Sequence, residues 1–356
     1  MHFDNEELPV AYLQYTRTKI IILRIGIIIL FFLLILSISS GAVSIPPIEV
    51  FQTLIGESVS PKWNKIILSI RLPQALTAIV AGAGLGCAGL AMQSILRNPL
   101  ASPFTFGIAH AAAFGAAFSI IILGSGVMQN SSINPYVIDN PFATTFVAFI
   151  SCLMATAVIL LISHLKRATP EVTVLAGVAI GSLCTAATMF LQLFADDTQL
   201  AAVVFWTFGD VSRADWGELA IMAVVTVLSL VYFYYHRWDY NAIDAGDETA
   251  SSLGVHVARV RIVGMIVVSV ITAVIMSFLG IIGFVGLISP HIIRRIVGDD
   301  HRFTIPGTII MGSILLLASD TVGRVIIVPH VVPVAVVTSF LGAPVFLYLL
   351  IRGYNR

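Results

Sequence analysis

The chain has 356 residues, of which 58% are hydrophobic and only 11% charged, and its 19 basic and 19 acidic side chains cancel to a formal net charge of zero. Its mean hydropathy is +0.98. A soluble domain carries about 25% charged residues, so no soluble fold of this length can hide this much apolar surface and lipid must be the solvent for most of it; the zero net charge offers nucleic acid no basic surface.

A membrane-spanning helix needs about 20 apolar residues. The runs that meet or approach this are Ile20–Ser39, Leu72–Met92, Phe104–Leu123, Phe142–Leu165, Val172–Phe194, Leu219–Tyr235, Ile262–Leu279, Ile281–Ile296, Ile305–Val322 and Pro333–Ile351. The expected fold is therefore all-α and polytopic, a single transmembrane domain over residues 1–356 with about ten spans. Met1–Tyr15 is polar, and the apolar run after it is too long for the core of a cleaved signal, so the first span is expected to stay. Ala201–Phe208 is too short to cross and reads as an interfacial or re-entrant helix. With the N-terminus placed in the cytoplasm, fourteen Lys and Arg residues fall inside and five outside. By the positive-inside rule this puts both termini in the cytoplasm. Among the fourteen are Arg97, Lys166, Arg167, Arg237, Arg352 and Arg356; the five are Lys62, Lys65, Arg71, Arg213 and Arg324.

Small residues pattern the spans. Gly82, Gly86 and Gly89 share one face, and Gly177 and Gly181 are four apart, the spacing that lets helices approach closely in lipid. Gly280, Gly283 and Gly286 suggest a tight reversal at the outer surface between spans seven and eight. Pro99 and Pro103 bracket a break before span three. Broken helices at membrane depth are tolerated only inside protein or beside a cavity, so a pathway is expected. A weak internal echo relates Leu72–Leu100 to Ile262–Arg295, in the style of duplicated transporter halves. The acids Asp196, Asp197, Asp210, Asp215 and Glu218 read as a solvated outer loop, and His291, Asp299, Asp300 and His301 as a solvated helix end. Cys87, Cys152 and Cys184 sit in apolar runs and read as small buried hydrophobes.

Chemistry is sparse. There is no GxxxxGK[ST] loop, no HExxH and no Cys/His cluster at ligand spacing, so neither ATP binding of that kind nor a metal site is expected. No enzyme and no cofactor are expected. Midspan carboxylates, which an ion-coupled transporter would need, are nearly absent; Asp320 is the nearest case, toward the outer end of span nine. His110, flanked by alanines in span three, is either a satisfied core histidine or a pathway-lining residue. The longest polar interruption of the second half is His236–Arg261, a cytoplasmic segment by the charge bias. In it Gly254 suits the left-handed position that ends a helix. A helix of two or three turns before it would carry Gly246, Ala250 and Leu253 on one face.

Four blocks carry a resemblance: RLPQALTAIVAGAGLGCAGLAMQSILRNPLASPFTFGIAHAAAFGAA (Arg71–Ala117), GDETASSLGV (Gly246–Val255), FLGIIGFVGLISPHIIRRIVGDDHR (Phe278–Arg302), and ASDTVGR with VTSFLGAPVFLYLL (Ala318–Arg324, Val337–Leu350). In this order they resemble the permease subunits of ATP-binding-cassette importers for iron–siderophores, haem and cobalamin. The resemblance implies ten spans in a bacterial inner membrane and a second permease subunit, identical or paralogous, across a central pathway. It also implies two ATPase subunits beneath and a substrate-binding protein outside. Cargo would cross by alternating access; a ferric siderophore is the expected cargo, with haem or cobalamin as the alternative and an ion-coupled secondary transporter as the rival class.

Residue by residue, the resemblance gives Arg71 and Arg324 to binding-protein docking, with glutamine at position 74 where a third arginine is expected. It gives the segment 237–261 to ATPase coupling through Gly246, Ala250, Leu253 and Gly254. Asn98 and Leu100, with Thr169, Pro170 and Glu171, fall at the cytoplasmic gate, Glu171 being larger and more charged than the family's pattern. Span five, with Gly177 and Gly181, would line the pathway. Arg259 and Arg261 read as anchors of span seven at the inner interface, while Asp247 and Glu248 have no assigned role.

Overall fold

The structure, a computed structural model, describes residues 10–41, 43–57, 60–104, 106–128, 136–138, 141–165, 169–328 and 330–353. Lys166, Arg167 and Arg356 of the charge count lie outside the described residues. Fifteen α-helices follow in chain order: α1 (Val10–Ser39), α2 (Pro47–Leu54), α3 (Pro61–Ile66), α4 (Leu72–Ile95), α5 (Ile108–Ile121), α6 (Pro141–Leu165), α7 (Pro170–Gln192), α8 (Asp197–Thr207), α9 (Trp216–Tyr235), α10 (Arg237–Asp244), α11 (Asp247–Ser252), α12 (Val257–Leu279), α13 (Val285–Val297), α14 (His301–Val325) and α15 (Val334–Gly353). A π-helical turn, Ile67–Arg71, joins α3 to α4, and a short antiparallel pair, β1 (Gly126–Met128) and β2 (Tyr136–Ile138), packs against α8.

Each of the ten apolar runs contains a helix, and Ala201–Phe208 lies largely on the short α8. Seven helices among the described residues are long and apolar enough to cross a membrane; α5, α13 and the apolar part of α15 are shorter. The reason in α5 and α13 is that each predicted span begins with a non-helical stretch. Before α5, Pro99, Pro103 and a left-handed Gly107 (φ 82°) keep residues 98–104, 106 and 107 out of a helix. Before α13, Gly280 ends α12 in a left-handed conformation, and the chain runs without helix to Phe284. Where the tight reversal was expected, the non-helical residues 280–284 lead into α13, and there Gly286 touches Gly89 of α4. Among the described residues only two non-glycines have positive φ, Arg97 (47°) and Phe284 (66°). They bound the two breaks, one each, and such strain persists only where the surroundings over-determine it.

Helix α4 is the core of the bundle, buried along nearly its whole length and packed on α14, α12, α13 and α9. Its small residues make this possible. A Cβ on Gly82 would lie 2.3 Å from the Gly312 carbonyl oxygen of α14, and one on Gly89 only 1.7 Å from that of Gly286 in α13. Backbones meet here without side chains between them, which is how helices gain packing in lipid. Cys87 and Cys152 are buried and Cys184 half-buried, all free.

The acids of the predicted outer loop act locally. Asp196 caps α8 in a reciprocal box with Gln199, Asp215 caps α9 in the same way with Glu218, and Asp210 accepts from the Ser212 N–H. Each answers an orphan N–H of a helix start.

Candidate functional site

A groove of about 470 Å³ runs between α5 and α7. Helix α7 contributes Gly177, Gly181, Thr185 and Met189, spaced by four, with Val178, Ser182 and Ala186 beside them. Opposite stand Phe104, Gly107 and His110. The structure thus brings His110, Gly177 and Gly181 together. The two glycines let the break come close: a Cβ on Gly107 would fall 2.6 Å from the Gly177 carbonyl oxygen. The His110 ring packs on Phe104 with centroids 5.5 Å apart, and its Nδ1 is buried without a hydrogen-bond partner among the described residues. Thr185, Met189 and Phe104 were not singled out from the sequence; the spacing of four from Gly177 would have found the first two. A smaller cleft on the other side of Phe104 is lined by Ser102, Pro103, Phe284 and Gly286. The two helix breaks therefore meet beside the groove, and non-helical backbone at this depth is accommodated by protein and cavity.

The residues assigned to the gate occupy two helix boundaries. Asn98 follows the C-terminus of α4, and its side-chain oxygen accepts the Leu100 N–H at 2.9 Å, leaving the Leu100 side chain exposed. Thr169 is the N-cap of α7, Pro170 its first residue and Glu171 an exposed residue of its first turn. No hydrogen bond or ion pair joins the two groups among the described residues.

Arg71 and Arg324 both point into the protein. Arg71 is 7% exposed and donates to the carbonyl oxygens of Ile38 (2.7 Å), Ser39 (3.1 Å) and Val43. It thereby satisfies carbonyls at the end of α1 that have no intrahelical partner. Arg324 donates from Nε (3.0 Å) and Nη2 (3.0 Å) to Asp320, and to Ser37 Oγ (2.6 Å) and the Ser40 carbonyl. Gln74, where the resemblance led one to expect arginine, donates its amide to Asp320 at 2.8 Å. Together they pin the C-terminal ends of α1 and α14 to the start of α4.

At the opposite end, α10 and α11 lie under the bundle. Helix α11 has only six residues, so the expected longer helix with Gly246, Ala250 and Leu253 on one face is corrected. Gly246 and Leu253 are its caps, Ala250 is buried against the chain's own helices, and Leu253 is 69% exposed. The stop at Gly254 is as expected, with φ 85° in the left-handed region glycine tolerates. Asp247 pairs with Arg261, both carboxylate oxygens lying 3.2 Å from Nη2. Arg261 is 5% exposed and its Nε donates to the Ile95 carbonyl, so it is a buried strut and not an interfacial anchor. Arg259 is exposed.

His301 overturns the reading of a solvated helix end, because it is fully buried. Its Nε2 lies 3.0 Å from Asp244 Oδ2 and 3.1 Å from Ser94 Oγ. Burial pushes the Asp244 carboxyl up, but the His301 hydrogen bond and charge, with Arg294 and Ser94, hold it below the ordinary carboxylate range. Fifty-seven residues separate Asp244 from His301, and no local spacing signals such a pair.

Residues 29–352 match the sequence profile of the FecCD transport family. The chain is 51% identical over 350 residues to an ABC transporter permease protein of Methanocaldococcus jannaschii, covering 98% of this chain and 99% of that one. It is 32% identical over 326 residues to the hemin transport system permease protein of Yersinia pestis, covering 92% and 94%. Other relatives, 32% and 31% identical, are the Fe(3+)-citrate import permease of Bacillus subtilis and the vitamin B12 import permease of Klebsiella pneumoniae. Among solved structures, a metal-chelate type ABC transporter in an inward-facing conformation superposes with a TM-score of 0.77 at 26% identity, over 93% of this chain and 99% of that one.

Proposed function

From a chain that belongs to the FecCD transport family, we infer that the protein is the permease subunit of an ATP-binding-cassette importer that carries a metal chelate across the cell membrane. The proposed cargo is a ferric siderophore. Relatives named for hemin, Fe(3+)-citrate and vitamin B12 support haem and cobalamin to the same degree. The observation that carries the reading is the groove between α5 and α7, where two broken helices converge on small and apolar residues with one histidine among them. Most of the large α7 side chains, among them Leu175, Leu183 and Phe190, are exposed in the single chain, which suits a second permease subunit closing the groove into a central pathway.

In this reading the end bearing α10 and α11 faces the cytoplasm, as do both termini, and ten spans cross the membrane with α5 and α13 as the half-helical ones. ATP is hydrolysed on separate ATPase subunits that dock around Leu253 and Gly254. Asn98–Leu100 and Thr169–Glu171 then close the pathway toward the cytoplasm. A binding protein delivers cargo at the opposite end; there Arg71 and Arg324 act by holding the outer ends of α1, α4 and α14 in the shape it recognises. Alternating access follows from the breaks, which can tilt α5 and α13 without unwinding a full-length span. An ion-coupled carrier is disfavoured because Asp320, the acid nearest to a midspan position, is committed to Arg324 and Gln74.

The docking assignment has a direct test. Leu253 offers its side chain outward and supports nothing in its own chain, so Leu253→Arg is expected to leave the permease folded and reduce co-purification of the ATPase subunit by about tenfold or more, the cost of a charge on a buried apolar anchor. Unchanged co-purification would place the ATPase contact elsewhere.

A further inference from the structure

We propose that a partly buried polar latch, Asp244, His301, Ser94 and Arg294 with the Asp247–Arg261 pair, is the device through which the α10–α11 segment moves the inner ends of α4, α13 and α14. The inference rests on the permease reading above and adds to it the residues that transmit the stroke.

The geometry converges on one atom. Asp244 Oδ2, at the end of α10, lies 3.0 Å from His301 Nε2 at the start of α14, 3.3 Å from Ser94 Oγ near the end of α4, and 3.5 Å from Arg294 Nη2 near the end of α13. An ionised carboxylate only accepts, so His301 presents a proton on Nε2, His301 and Ser94 donate to the same oxygen, and Arg294 faces it as a counter-charge. Arg294 also donates to Ser94 Oγ at 3.1 Å, closing the ring. Asn241, one turn earlier on α10, accepts the His301 N–H at 2.9 Å and donates to Asp300 at 3.2 Å. Three helices from distant parts of the chain are therefore tied to the cytoplasmic segment by groups that no water-exposed loop would need to align.

A second strut leaves α11. Asp247 holds Arg261, and Arg261 Nε reaches the carbonyl of Ile95, the last residue of α4, at 3.0 Å. Two residues on is Arg97, one of the two strained non-glycine positions, and with it begins the break that leads to Phe104 and the groove. On the α13 side the same helix that offers Arg294 at its inner end begins at Phe284, the other strained position. The latch thus grips the far ends of the two elements whose near ends border the groove.

A polar cluster whose members converge on one carboxylate is stiff, because each partner lost leaves a desolvated group; His301 Nδ1 and Arg294 Nε already have no hydrogen-bond partner among the described residues. Tyr240, Ile243 and Ala250 are buried under the bundle, so α10 and α11 cannot slide sideways to absorb a push delivered at Leu253. Displacement of the segment must either break the latch or carry α4, α13 and α14 with it. Coupling of this kind reads out as function on both sides of the latch.

The experiment uses the whole importer, permease with its ATPase and binding protein, in proteoliposomes, with ferric citrate, haemin and cyanocobalamin offered in parallel as probes. Transport per ATP hydrolysed is the readout. Asp244→Ala is expected to keep ATPase subunits bound and hydrolysing while transport per ATP falls about tenfold, within the span of coupling free energies between sites. Asp244→Asn, which keeps an acceptor oxygen for His301 and Ser94, is expected to recover part of that loss. Where Asp244→Ala does not assemble, Asp244→Asn decides by itself: a fall of about twofold or more supports the latch. A wild-type ratio in the variants that assemble overturns the latch and leaves the permease reading standing. A wild-type importer that takes up none of the three probes in response to ATP overturns the permease reading instead.

Discussion

Gly89→Val is expected to abolish recovery of folded, monodisperse protein from the membrane. Any Cβ at position 89 would lie 1.7 Å from the Gly286 carbonyl oxygen, 2.4 Å from its carbonyl carbon and 2.6 Å from its Cα. All three atoms are backbone, so no rotamer change relieves the clash, and α4 and α13 must separate. That separation opens the most buried helix of the bundle and dislodges the non-helical stretch that precedes α13. The cost belongs to the overpacking class, and at a backbone-to-backbone contact exceeds ~4 kcal/mol. Size-exclusion chromatography in detergent and a thermal melt report it. Gly283→Ala is the matched control, because a Cβ there meets only the Phe104 ring at 3.9 Å and is expected to change little. A Gly89→Val protein that melts like the wild type would mean that the two helices do not touch as described.

Asp320→Ala is expected to destabilise the corner formed by α1, α4 and α14 by about 3–5 kcal/mol, the usual result of stripping the partner from a buried charge. Asp320 is 4% exposed and Arg324 9%. Without the carboxylate, the guanidinium keeps Ser37 and the Ser40 carbonyl as partners but nothing to neutralise it, and the Gln74 amide loses its acceptor as well. Removing both charges, as in Asp320→Ala with Arg324→Ala, is expected to cost less than the sum of the single changes, since the groups share one interaction. Thermal melts of the three variants in detergent measure this directly. Strict additivity would show that the pair does not hold the α1–α4–α14 corner.

Much of the fold was legible because lipid simplifies the code. Ten apolar runs mark ten helices, and the glycines of α4 mark where its neighbours come closest. What hydropathy could not report is whether an apolar residue is helical. Phe104 and Ile282 are as apolar as their neighbours, yet they sit in breaks set by Pro99, Pro103, Gly107 and Gly280. The groove was half legible: Gly177, Gly181 and His110 were in hand, and the same period of four leads on to Thr185 and Met189. The capping boxes Asp196–Gln199 and Asp215–Glu218 were present as an acid followed three residues later by Gln or Glu, a readable signal hidden by treating the acids as one cluster. The Asp244–His301 and Asp247–Arg261 pairs were not legible at all. The first joins α10 to α14 and the second α11 to α12, across 57 and 14 residues of chain, and burial turned His301, read as solvated, and Arg261, read as an interfacial anchor, into internal ties.

The central claim is that the α5–α7 groove is part of an ATP-driven path for a metal chelate. Uptake into proteoliposomes, with ATPase and binding protein present and ferric citrate, haemin or cyanocobalamin outside, tests it most directly when wild type is compared with Thr185→Trp, which fills the groove. The expected result is ATP-dependent accumulation of at least one chelate, unaffected by an uncoupler, and about a tenfold loss of rate in the variant, equivalent to ~1.4 kcal/mol on the crossing barrier. Uptake that persists without ATP and collapses with an uncoupler, or that runs at the wild-type rate through the filled groove, would contradict it.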